Sequence, residues 1–143
     1  MTTGESSRSD RFSIDDSVMD IYRALTEDEN IENAPFATFK DVFVLAACIG
    51  FRTAKRASLP SGKKTTIREE VFTPSDLAIL KAIAIASTGD VEVMLEFGDI
   101  VTISEEYAHG GIYAVQALLL DQRGSPLWNL VDVLNSKDVW DED

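Results

Sequence analysis

TFKDVFVLAACIG, residues 38–50, decides the fold class. Thr38 is followed three residues on by Asp41. In that pairing a hydroxyl accepts from an orphan backbone N–H, while the acid sits at the positive end of a helix dipole. Beyond Asp41 the stretch is apolar on nearly every side and closes at Gly50, a natural stop. A helix with no polar face belongs at the centre of a helical body. Phe39–Ile49 is therefore predicted as the most buried helix.

The same punctuation recurs outward from it. Ser13 with Asp16 predicts a first helix over Ile14–Leu25, with Ile14, Val18, Ile21 and Leu25 on one face. Thr73 with Asp76, and Pro74 at the first helical position, predict a helix over Pro74–Ser87 that ends at Gly89. It too is apolar nearly all round, so it is expected to pack on the central helix. DVEVMLEF (90–97) suits a strand or a helix. DIVTISEEYAHGG (99–111) predicts a helix ending at Gly110 and Gly111, IYAVQALLLDQ (112–122) a further one, and PLWNLVDVL (126–134) the last, again with proline at its start. No repeat and no strand–helix alternation is visible. The expectation is all-α: a single compact domain of five to seven helices, residues 13–136, between a flexible N-terminal tail (1–12) and an acidic C-terminal tail (137–143).

Residues 51–72 lack helical periodicity. They predict a long basic loop or short β-hairpin insertion projecting from the body, with Pro60–Gly62 as its turn and Thr65–Phe72 as one strand. The chain holds 25 acidic and 13 basic residues, yet Arg52, Lys55, Arg56, Lys63, Lys64 and Arg68 fall together with no acid between them. These six are the candidate site, for nucleic acid or an acidic partner. If all six met duplex phosphates, the slope of log affinity on log salt would be about −5. The net charge of −12 opposes generic coating of nucleic acid and favours a protein partner or a homo-oligomer.

Catalytic chemistry is poorly supplied. One cysteine, Cys48, lies within the most apolar helix, where a thiol is a small hydrophobe. One histidine, His109, stands three residues after Glu106, the spacing of carboxylate-bridged metal bundles, but no second histidine completes such a set. A cap at a helix C-terminus is the simpler role. PSGKKTT (60–66) lacks the first glycine of a phosphate-binding loop, and no Ca²⁺ loop pattern occurs. No enzyme, metal or cofactor is predicted. Phe36, Phe39, Phe43, Phe51, Tyr107, Tyr113 and Trp128 read as core rather than base-stacking platforms. The longest apolar run, Leu77–Ala86, is broken by Lys81 and too short for a bilayer, and the polar N-terminus has no signal-peptide pattern. A soluble cytoplasmic protein is expected.

Two stretches carry a resemblance. PFATFKDVFVLAACIGFRTAKR (35–56) and EEYAHGGIYAVQALLLD (105–121) resemble the DNA phosphorothioation (Dnd/Dpt) system-associated protein 4 family, through Pro35-Phe36, Phe39-Lys40-Asp41, Phe43, Ala46-Ala47, Gly50-Phe51-Arg52, Arg56, Glu105-Glu106-Tyr107-Ala108 and Gly110-Gly111. The resemblance implies bacterial defence: a DNA backbone modification linked to restriction, with an accessory protein that has no catalytic residues to carry over. It would be an adaptor bound to other proteins of that system or, alternatively, a DNA-contacting module using residues 52–68.

Overall fold

The computed structural model describes residues 11–136. Strand β1 (Arg11–Asp15) leads through a 3-10 turn into helix α1 (Met19–Thr26), followed by α2 (Phe39–Arg52), strand β2 (Lys64–Arg68), α3 (Pro74–Thr88), α4 (Phe97–Val115) and α5 (Pro126–Asn135). Single 3-10 segments precede α3 and α4, and a π turn, Gln116–Leu120, closes α4. Five α-helices thus form one compact helical body, as the sequence predicts. The expected C-terminal tail lies outside the described residues, and so does the N-terminal one but for Arg11 and Phe12.

Local signals hold where capping governs. The boxes Thr38–Asp41 and Thr73–Asp76 are both formed, prolines begin α3 and α5, and Gly89 ends α3 in the left-handed conformation at φ 72°. Lys40 couples the two boxes: its ammonium lies 3.0 Å from Asp41 Oδ1 and 2.9 Å from Asp76 Oδ2. Burial would raise the Asp76 carboxyl, but Lys40 and the Thr73 bonds outweigh it and hold it below the ordinary range. Replacing Lys40 with Met is expected to cost about 1 kcal/mol near neutral pH. A depressed carboxylate pKa stabilises above the unfolded value and is lost as pH falls through the folded one. The deficit of Lys40→Met in urea unfolding should therefore shrink in acid.

Three expectations are corrected. First, Ile14 does not open a helix. Arg11–Asp15 is a strand, and the expected Ser13 cap is replaced by Asp15, whose carboxylate accepts from Ser17. Phe12, expected in the tail, is fully buried against Phe43, Phe72 and Phe97, with ring centroids 5.6, 4.5 and 6.0 Å away. Second, β2 pairs antiparallel with β1, Phe12 opposite Ile67, rather than with another part of the basic segment. Third, Gly110 and Gly111 do not end a helix: α4 runs through them. Gly111 is where α2 and α4 touch backbone to backbone. A Cβ on Gly111 would lie 2.6 Å from Gly50 N and 2.9 Å from Gly50 Cα, and closer still to Ala46 O. Gly50, expected as a stop, likewise sits inside α2 against Tyr107. The central helix therefore has α4 as its main partner, and α3 is left with an outward face.

That outward face departs from the all-round burial expected of α3. Leu80, Ile83 and Ala84 are buried, but Ala78, Ile79, Ala82 and Ala86 are exposed. Trp128 is also exposed, at 56%, rather than in the core. Among the described residues no helix is long and apolar enough to cross a membrane.

Candidate interaction surface

The basic segment does not project; it lies as a strap along α4. Past Arg52 the chain turns back at Ala54, which takes the left-handed conformation at φ 58°. Lys55 N then donates to Gly50 O at 2.7 Å and Ala57 N to Glu106 O at 3.1 Å. At the other end Asp16 N donates to Lys63 O at 3.1 Å, just before β2 begins. Gly110 makes room for this path: a Cβ there would lie 2.6 Å from Lys55 C and 3.1 Å from Arg56 N. The strap is thus held by backbone bonds and a missing side chain, neither of which composition reveals.

Its cations do not act as one group. Arg56 Nε donates to Glu106 Oε1 at 2.7 Å and Nη1 to Ser87 Oγ at 3.2 Å, and the guanidinium lies 5.4 Å from the Tyr107 ring centroid. Tyr107 Oη donates to Ser87 Oγ at 3.2 Å, so strap, α3 and α4 meet at Arg56. Lys64 pairs with Asp15 Oδ1 at 3.2 Å and donates to the carbonyls of Pro60 and Gly62. Arg68 Nη2 lies 2.8 Å from Glu70 Oε2. Half of the six predicted site residues are therefore committed to carboxylates of this chain. Lys55 and Lys63 are exposed and form no ion pair among the described residues, and Arg52 is exposed on the last turn of α2.

Beneath the strap lies a small, mainly apolar cavity whose lining also includes Asp15, Glu105 and His109. Burial pushes the Glu105 carboxyl up from its usual range, and the Ser13 N–H, 2.6 Å from Oε2, opposes that shift. His109 is not a helix-terminal cap but stands mid-helix in α4. Its Nδ1 is buried without a hydrogen-bond partner among the described residues, and its ring lies edge-on to Tyr113 at 6.3 Å. Glu106, its would-be metal partner, is held by Arg56, and among the described residues no cluster of three ligating side chains could hold a metal. Burial raises the Cys48 thiol above its ordinary pKa, which favours the unreactive protonated form.

Sequence reasoning missed Ser87 and Tyr107 as the partners that fasten Arg56. The available signal was Glu106-Tyr107 preceding a Gly-Gly step, which marks close backbone approach as well as termination. Alanine at Gly110 is expected to lift the strap while α2 and α4 stay packed. Loss of the Arg56 and Ala57 anchors should cost about 1–3 kcal/mol. Hydrogen exchange should quicken at the Ala57 amide, with far-ultraviolet dichroism unchanged.

A family model described as DNA sulphur modification system-associated protein 4 matches residues 11–142. No curated protein and no solved structure matches the chain.

Proposed function

This chain belongs to the DNA sulphur modification system-associated protein 4 family, and from that membership we propose that it is a non-catalytic adaptor. It would act in a protein assembly of a phosphorothioation-linked restriction system in bacterial defence. One observation carries the choice of adaptor over DNA binder: Arg56, Lys64 and Arg68 are each paired with an acid of the same chain. Moving them to phosphate would break those pairs, within a protein whose net charge of −12 already repels DNA. The Cys48 thiol, which burial keeps in its unreactive protonated form, supports a non-catalytic reading.

A second reading, contact with the DNA backbone, is favoured by Lys55 and Lys63, exposed and without ion pairs among the described residues. It makes a limited claim, because two phosphate contacts give a salt slope of only about −2. Fluorescence anisotropy on a short duplex, with and without phosphorothioate, tests both readings. The adaptor reading expects weak binding at low salt that Lys55→Glu/Lys63→Glu abolishes, beside tight co-elution with a protein of the same system. Tight duplex binding without any protein partner would reverse the order of the two.

A further inference from the structure

Beyond Ser75 in the first turn, the outer face of α3 lacks the polar residues a solvent-facing helix normally carries. Ala78, Ile79, Ala82 and Ala86 share that side, all exposed, over about 12 Å of helix. No element of the described fold covers them. Side chains this small let a second helix approach closely, since interaxial distance follows the residues at the contact. Past Gly89, Val91 is 67% exposed and Met94 47% exposed. Methionine adapts to varied partners.

At the same end lies an open cleft whose walls include Asp90, Glu92, Glu96 and Asp99. None of the four forms an ion pair among the described residues. The cleft sits at the carbonyl end of α3, where the helix dipole adds to its negative potential. An apolar stripe that ends in uncompensated carboxylates defines the chemistry of its complement.

We propose that the outer face of α3 and this acidic cleft form one docking surface for a helix of another protein. That helix carries small and aliphatic residues along one side, and Lys or Arg at the end that enters the cleft. The inference rests on the adaptor reading and gives it a surface. A second copy of this chain fits less well. Antiparallel pairing of two α3 helices would turn each cleft toward the other copy's α3 N-terminal end, where the cations Lys40 and Arg68 are already paired with Asp76 and Glu70. The basic strap could answer the cleft, but it offers no apolar helix to cover α3.

The test uses the full chain and, as probes, the separately purified proteins of its DNA sulphur modification system, by biolayer interferometry. Ala82→Arg obstructs the stripe, Glu92→Lys/Glu96→Lys reverses the cleft, and Glu27→Lys/Glu29→Lys makes the same charge change at a distant exposed site. All three should fold, as checked by circular dichroism, because every position is exposed. The expected result is binding to one probe, weakened about tenfold or more by each of the first two variants and less than about twofold by the third. Binding that survives Ala82→Arg would overturn the surface and leave the adaptor reading standing. Equal weakening by both charge variants would overturn the cleft as a specific contact. Sedimentation showing a dimer that Ala82→Arg dissociates would make a second copy the occupant. If the wild type binds no probe, the adaptor reading falls and the surface with it.

Discussion

Alanine at Gly111 is expected to abolish stable folding, or to lower stability by about 3 kcal/mol or more. The substitution adds one methyl group and would raise intrinsic helix propensity by about 1 kcal/mol, so propensity alone predicts the opposite sign. Packing decides. The new Cβ would lie 2.6 Å from Gly50 N and 2.9 Å from Gly50 Cα, both atoms of the α2 backbone. Backbone cannot rotate away as a side chain can, so α2 and α4 must separate along their contact. Separation would loosen Val42, Phe43, Ala46, Tyr107 and Ile112, all buried in the shared core. Chemical denaturation of the variant beside wild type reads the effect. A variant within about 0.5 kcal/mol of wild type would mean that the two helices do not approach this closely.

Phe12→Ala should cost about 3–5 kcal/mol. Its ring is fully buried and touches aromatic side chains from three separate parts of the chain: Phe43 on α2, Phe72 before α3 and Phe97 opening α4. Removing it leaves a cavity among residues whose backbones are fixed by different elements and cannot close on it together. Phe12→Leu, which keeps most of the volume, is expected to recover more than half of the loss. Equilibrium unfolding in urea gives both values. A fully stable Phe12→Ala would place residue 12 in a solvated tail.

Those two residues also show what the sequence made legible. Thr38–Asp41, Thr73–Asp76, Pro74 and Pro126 were readable because capping is settled within four neighbouring positions. They marked the starts of α2, α3 and α5 within an expected body of five to seven helices. Phe12 was not, although Arg11-Phe12-Ser13-Ile14-Asp15 does alternate. Ile14, Val18, Ile21 and Leu25 also fit a helical face, and nothing local reveals a strand partner at residues 64–68. Gly110 and Gly111 carried two meanings, helix end and close approach, and only the position of α2 chooses between them. The candidate site was legible as a charge cluster and no further: the acids that pair with Arg56, Lys64 and Arg68 come from α4, β1 and the turn after β2. The outer face of α3 was hidden for a different reason. Ala78, Ala82 and Ala86 have the same hydropathy whether covered or bare, so composition could not distinguish a buried stripe from an open one.

The pairing of β1 with β2 also sets an order in time. Residues 11–15 leave the ribosome before any element they bind. α1 and α2 can coil as they are made, since helix formation is local and fast. β1, however, must wait for Lys64–Arg68 to supply its ladder, and for Glu105 on α4 to accept from Ser13 N. Contacts between distant parts of the chain are the slow ones. Until then Phe12 and Ile14 remain an unpaired apolar edge, the kind of surface that chaperones hold and that aggregates when left open. Residues 11–15 are therefore secured only after α4, some ninety residues later in the chain, has been made.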